Sequence, residues 1–476
     1  MSFEAVIGLE VHAQLRTQTK LFCGCSTRFG DAPNTNVCPV CLGLPGALPV
    51  PNEAVIDLAV RAALALECRV NPVSVFARKN YFYPDLAKGY QISQFELPLN
   101  EHGRLAIEVD GERKEAGITR IHVEEDAAKN LHGVGGETLV DFNRAGVPLI
   151  EIVGDPDLRS GAEAEAYLRS LRDILMAVGV NDGNLEAGSF RCDANVSIRP
   201  VGSEILGTRV ELKNINSFRF VRKAIEFEIA RQKALVSSGG VVEQETRSWS
   251  EAEGRTKSMR GKEEAHDYRY FPDPDLPPIR IDDEHVERIR RDLPELPAET
   301  RARWQQLGLT EQDARVLTGH PELARYVDAG VALLGPERAK ALANFVQSEV
   351  LRHVTTHGLR ADVPVPIAHL AQLIELTLDD TINGKIAKEV FAKMVESGEP
   401  PRDIIDRDGL AQVTDTAAIE AVVQEVIDGH PAQLAQYRGG KTAVLGFFVG
   451  QVMKATRGQA NPKLVQETLK RLLAEP

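Results

Sequence analysis

Strict alternation of apolar and polar residues is the first pattern along the chain. Ala5, Ile7, Leu9, Val11 and Ala13 alternate with Val6, Gly8, Glu10, His12 and Gln14. Successive side chains of a strand point to opposite faces. The segment therefore predicts a strand with one apolar face and with Glu10 and His12 together on the other. Residues 191–199 repeat the arrangement, with Asp193, Asn195, Ser197 and Arg199 opposite an apolar face. In residues 209–213, Val210 and Leu212 face one way and Glu211 and Lys213 the other. Near residue 292 the pattern changes. Beyond it Leu342, Phe345, Val346 and Val350, and then Ile386, Val390 and Met394, recur at helical spacing. Pro400-Pro401 reads as a hinge, and two more helices are expected over residues 417–427 and 442–455. The expected architecture is α+β: an N-terminal cradle domain with an antiparallel sheet over 1–292, a helical domain over 293–402 and a small helical tail over 403–476.

The polar strand faces carry ligand-type groups with short neighbours, whereas an ordinary wet sheet face mixes Lys, Thr and Glu. Two further acids stand among apolar residues. Glu125 follows Ile121 and Val123 in phase, and Glu151 lies between Ile150 and Ile152. A buried carboxylate needs a partner. A divalent cation would serve, and so would an arginine such as Arg144. The first reading gives a Mg²⁺ site built from Glu10, His12, Glu125 and Glu151, with Asp193 and Glu211 nearby. The imidazole makes Mn²⁺ a second suitable ion.

Of six cysteines, Cys23, Cys25, Cys38 and Cys41 form C-x-C, a twelve-residue spacer and C-x₂-C, with Gly43 following. Four thiolates suit tetrahedral Zn²⁺ and leave no open position, so the expected role is structural. Cys68 and Cys192 read as small core residues. A net charge of −13 argues against a protein that simply coats nucleic acid. The last forty residues are locally basic, with Lys441, Lys454, Arg457 and Lys463 on what charge alone reads as a solvated face. No secretory signal opens the chain, and no apolar run reaches the roughly 18 residues of a membrane span. The expected location is cytoplasmic, away from membranes. No phosphate-binding loop of the G-x-x-x-x-G-K-[ST] type occurs, and no nucleophile for releasing ammonia from glutamine is evident.

Several long runs resemble one family, the B subunit of the glutamyl/aspartyl-tRNA amidotransferase. They include residues 7–12 (IGLEVH), 78–85 (RKNYFYPD), 89–94 (GYQISQ), 122–127 (HVEEDA), 141–152 (DFNRAGVPLIEI), 191–197 (RCDANVS), 211–218 (ELKNINSF) and 267–272 (DYRYFP). The resemblance covers nearly the whole chain. It departs from the family pattern at His266, where an acidic or small residue is more usual, and at Ala187, where an acid is. It implies that the basic tail, with Lys441, Lys454, Arg457 and Lys463, contacts the tRNA.

The resemblance implies an enzyme subunit that uses ATP to phosphorylate the side-chain carboxyl of Glu-tRNA(Gln), of Asp-tRNA(Asn), or of both. Ammonia from an amidase A subunit then displaces the phosphate, and a small C subunit clamps the other two together. The missing nucleophile fits that division of labour. The non-discriminating synthetase is a further candidate partner. Glu10, His12, Glu125 and Glu151 fall on the family's metal-site motifs. Lys79 and Arg191 are candidates for offsetting phosphoryl charge, with a tRNA phosphate as the equal alternative for Lys79. Tyr81 and Tyr83 share a strand face, either to stack on the terminal adenosine or to pack the cradle. A non-catalytic, zinc-containing tRNA scaffold and a stand-alone ligase using free ammonia remain as other readings.

Overall fold

The computed structural model describes all residues except 1, 135, 262–266, 413–415, 457–458 and 475–476. The chain divides into two compact units, Met1–Pro297 and Ala298–Pro476.

The first unit is organised by a nine-stranded sheet. Its strands are β1 (Phe3–Gln14), β2 (Arg69–Val70), β5 (Asn100–Val109), β6 (Glu112–Glu125), β7 (Pro148–Gly154), β8 (Phe190–Pro200), β9 (Val210–Lys213), β10 (Glu245–Ser250) and β11 (Arg255–Gly261). A smaller sheet contains β3 (Ala77–Asn80), β4 (Tyr90–Ser93) and β12 (Phe271–Pro272). In the large sheet the spatial order is β11-β10-β9-β8-β1-β7-β6-β5-β2. Every pairing is antiparallel except β9 with β10, which is parallel because helix α3 (Phe218–Ser237) carries the chain across between them.

The alternation in β1 is realised as expected. Ile7, Leu9, Val11 and Ala13 are buried with Ile121, Val123, Ile150, Ile152, Ala194, Val196, Val210 and Leu212 in one core. The helices α1 (Glu53–Ala65), α2 (Gly161–Ala177) and α3 contribute the remaining apolar side chains, among them Val60, Leu171 and Ile225. Each large aliphatic side chain buried here stabilises the fold by about 1.5–3 kcal/mol. Asn52, Ser160 and Ser217 cap the three helices by accepting from backbone N–H groups in the first turn. With the helices bound to the apolar face, the opposite face of the central strands is left for polar side chains.

The second unit is helical apart from a short hairpin, Thr355–His357 with Arg360–Asp362. It holds two separate cores. One runs from Trp304 to Ile405 and the other from Ile419 to Leu473. Pro401 opens the helix Pro401–Asp408, where its missing N–H costs nothing. Ile404 and Ile405 of that helix lie in the first of the two cores. The helix expected over 417–427 spans Thr416–Asp428, and that over 442–455 is a short 3₁₀ turn, Thr442–Val444, continued by Leu445–Ala455. Two helices not read from the sequence, Pro431–Arg438 and Pro462–Ala474, complete this part.

Candidate active site

The strand register assembles a row of charged side chains on the polar sheet face. His12 of β1 lies opposite Glu151 of β7, which lies opposite His122 of β6. On the other side Glu10 pairs with Asp193 and His12 with Arg191, both from β8, and Asn195 pairs with Glu211 of β9. Directly opposed residues share a face, and Glu124 joins the row because it is in phase with His122.

At the centre the groups converge. His12 Nε2 is 3.4 Å from Glu151 Oε2, 3.5 Å from Glu124 Oε1 and 3.9 Å from Glu10 Oε1. His122 Nε2 is 3.4 Å from Glu151 Oε2 and 3.7 Å from Glu124 Oε2. Burial by itself favours the neutral carboxyl at Glu151. The facing His122 and His12 overcome it and hold Glu151 well below the usual carboxylate range. Glu124 is likewise lowered despite burial, chiefly through its hydrogen bond with His122. Burial opposes the His122 cation, but Glu151 and Glu124 raise its pKa to about 9. Glu10 is pushed upward by burial and by the charge of Glu151.

These residues fit a divalent cation. Ligand atoms of Glu10, His12 and Glu151 lie within 4.8 Å of one another, and so do those of His122, Glu124 and Glu151. Glu151 belongs to both groups. The His122 Nδ1 atom is buried without a hydrogen-bond partner. Mixed carboxylate and imidazole donors suit Mn²⁺ more readily than Mg²⁺, which favours oxygen.

Glu125 does not join this cluster. It lies on the apolar face, one residue out of phase, where its carboxylate accepts from Ile92 N at 2.9 Å and pairs with Lys88. The partner that its burial demanded is a lysine, neither a cation shared with Glu10 nor Arg144. Arg144 instead donates to the carbonyls of Ala127 and Ala128. His122 and Glu124 join the cluster in place of Glu125. Both alternate with Ile121, Val123 and Glu125, so the same period-two pattern puts them on the polar face.

Asp193 and Glu211 stand beside the cluster and are bridged by Lys213, whose Nζ is 2.7 Å from Asp193 Oδ2 and 3.2 Å from Glu211 Oε1. Arg191 and Gln14 both donate to Asp126 Oδ2, at 3.0 and 2.9 Å. Lys79 approaches from β3. Burial works against its charge, yet the nearby Glu124 carboxylate keeps it strongly cationic. Its Nζ stands 4.8 Å from the Tyr268 ring centre and 5.8 Å from that of Tyr81. Tyr270 stacks on Phe95 with centroids 4.3 Å apart. Strand β3 ends at Asn80, so Tyr81 and Tyr83 do not share a strand face. Tyr81 packs edge-on against Tyr268, and Tyr83 is exposed.

The four clustered cysteines bring their Sγ atoms within 4.8 Å of one another, as one tetrahedral ion requires. A hydrogen bond from Cys23 is the main influence that pulls the Cys41 thiol down to about 4, and the Lys20 ammonium adds to it. Lys20 is fully buried and donates to the carbonyls of Asn36 and Phe142. Cys68 and Cys192 are buried in the main core, as expected. In the second unit Lys441, Lys454 and Lys463 are exposed, and Arg457 lies outside the described residues.

Fold and site together define a mixed α/β sheet domain whose polar face carries clustered carboxylates and imidazoles, followed by a helical unit. Residues 5–287 match the GatB/GatE catalytic domain, and residues 326–473 match the GatB domain. The chain belongs to the GatB family. It is 56% identical over 476 residues to the B subunit of the aspartyl/glutamyl-tRNA(Asn/Gln) amidotransferase of Geobacter sp. (strain M21), covering 98% of this chain and 99% of that protein. Its counterpart of the same name from Syntrophotalea carbinolica is 57% identical over 473 residues, covering 99% of this chain and 98% of that one. The counterpart from Chlorobium chlorochromatii is 54% identical over 472 residues, covering 98% of this chain and 99% of that one. Among the described residues no helix is long and apolar enough to cross a membrane.

Proposed function

We propose that this chain is the activating subunit of a tRNA-dependent amidotransferase. It passes the γ-phosphoryl group of ATP to the side-chain carboxylate of Glu-tRNA(Gln) or Asp-tRNA(Asn), and the acyl phosphate then becomes the amide. The observation that carries this reading is full-length identity above one half with amidotransferase subunits. The charged row on the sheet supplies the matching chemistry.

In the first step a carboxylate oxygen of the aminoacyl group bonds to the γ-phosphorus and the bond to ADP breaks. In the second, ammonia bonds to the acyl carbon, phosphate leaves and a proton is given up. Two anions must meet in the first step, so positioning and charge neutralisation dominate. A divalent cation held by Glu10, His12 and Glu151, or by His122, Glu124 and Glu151, would neutralise phosphate oxygens. Lys79 contributes a fixed positive charge beside Glu124, and Arg191, held by Asp126, contributes another. Lys213 pairs with both Asp193 and Glu211 next to Glu10. The rings of Tyr81, Tyr268, Tyr270 and Phe95 offer stacking surfaces for an adenine. A structural Zn²⁺ on the four thiolates would anchor the segment from Cys23 to Cys41.

Ammonia is supplied by an amidase A subunit, a small C subunit joins the two, and the basic tail meets the tRNA. The test is ATP hydrolysis by the protein assembled with its amidase and small subunits, with and without Glu-tRNA(Gln). Stimulation by charged tRNA that disappears in Glu151→Gln is the expected result. Stimulation that survives moves the site elsewhere. Bound tRNA with no stimulation at all returns the chain to a scaffold role.

A further inference from the structure

Away from the charged row, α3 and the β10–β11 hairpin flank a half-open pocket of about 510 Å³. Arg219, Phe220, Lys223 and Phe227 recur along one face of α3 and line it, and Trp249 and Glu251 close it from the hairpin. None of these residues takes part in the proposed reaction.

Two features identify what the cavity accepts. The aromatic side chains Phe220, Phe227 and Trp249 offer flat apolar walls, with Trp249 edge-on to Phe227 at 6.3 Å. Arg219 and Lys223 are exposed and make no ion pair among the described residues, whereas their neighbour Arg222 is engaged by Glu226 at 2.8 Å.

We infer that this cavity is a second binding site, for a nucleotide. The base lies against the aromatic walls, its 5′-phosphate meets Arg219 and Lys223, and Glu251 accepts from a ribose hydroxyl or exocyclic amine. Inorganic phosphate alone would leave the rings unused. A purely apolar ligand would make no use of Arg219, Lys223 and Glu251, which rim the aromatic walls. The volume lies in the usual range for small-molecule sites, roughly 300–1,000 Å³. The nucleotide is either free or an unstacked residue of a bound RNA, and the chemistry is the same for both.

Trp249 reports on its own site. The chain has two tryptophans, and the other, Trp304, is fully buried in the second unit. Adenosine 5′-monophosphate titrated into the full-length protein is expected to quench emission saturably, and inorganic phosphate at equal concentration is expected to have no effect. Trp249→Phe should abolish the signal. The exposed pair Arg219→Ala/Lys223→Ala should weaken binding by at least about tenfold, the loss of charge-assisted contacts. Its melting temperature should match the parent.

Uncharged tRNA that gives the same Trp249-dependent quenching identifies RNA as the source, and the double variant should then raise KM for charged tRNA with kcat unchanged. Quenching by the mononucleotide alone identifies a free nucleotide. Absence of saturable quenching by both, or binding indifferent to the double variant, overturns the inference. These outcomes do not depend on the activity assay at Glu151.

Discussion

Glu151 and His122 face each other across adjacent antiparallel strands, with Oε2 and Nε2 3.4 Å apart, while His12 approaches the same carboxylate oxygen from the strand on the other side at the same distance. One carboxylate thus lies between two imidazoles on a three-strand section of the sheet. Glu124 meets both histidines at 3.5 and 3.7 Å. The geometry gives two adjacent glutamates different work, because Glu124 and Glu125 emerge on opposite faces.

Paired substitutions at those two positions separate the faces. Glu124→Gln should reduce Mn²⁺ affinity by tenfold or more, roughly the loss of one anionic ligand, as read by electron paramagnetic resonance. Glu125→Gln should leave Mn²⁺ affinity near the parent value. It should instead lower stability by about 3 kcal/mol, because Lys88 would keep its charge in a largely buried place without a counter-ion. Urea unfolding of both variants checks the second half. Loss of Mn²⁺ binding in Glu125→Gln would reverse the assignment.

Lys79 is expected to act on the reaction and not on folding. Lys79→Met should lower kcat for charged-tRNA-dependent ATP hydrolysis by about a hundredfold, the scale of one preorganised electrostatic contact. The melting temperature should hardly change, since the methionine keeps the packing against Tyr81 and Tyr268. A rise in KM for tRNA with unchanged kcat would assign Lys79 to an RNA phosphate instead.

Metal removal should act locally at the thiolate cluster. Elemental analysis is expected to find about one zinc per chain, matching one four-ligand site. A chelator, or Cys38→Ser, should raise backbone hydrogen exchange over residues 20–44 and lower the melting temperature.

A second buried network is purely structural. Glu228 of α3 is fully buried and accepts from Arg231 at 2.6 Å, Gln232 at 3.0 Å and Thr256 at 3.2 Å. Arg247 stands 3.6 Å away. Glu228→Ala should destabilise the first unit by about 1–3 kcal/mol, because buried donors lose their acceptor while Arg231 and Arg247 keep Glu245. Divalent-cation binding at Glu151 should be retained in whatever fraction remains folded.

The tail is expected to bind RNA through its charge. Combined Lys441→Ala, Lys454→Ala and Lys463→Ala should weaken tRNA binding and reduce the slope of log affinity against log salt by about 2 to 3. An unchanged slope would show that these exposed lysines are only solvated.

The local pattern of this sequence determined more than the elements. Alternation in residues 5–13, 191–199 and 209–213 set which side chains share a face, because a strand has no other choice once one face is buried. Cysteine spacing announced a four-thiolate cluster, and the long motif runs carried the family resemblance. Helices such as Gly384–Ser397 followed from aliphatic residues at helical spacing, whereas Pro431–Arg438 left little apolar pattern to read. Tertiary structure decided the rest. Which strands are neighbours is a matter of long-range pairing, and only the order β8-β1-β7-β6 places His122 and Glu124 beside His12 and Glu151. The partner of Glu125 is 37 residues away in sequence. The cavity beside Trp249 exists because α3 crosses behind a hairpin formed after it. Local propensity has no access to such encounters, since they are selected by burial of the whole core and not by neighbouring residues.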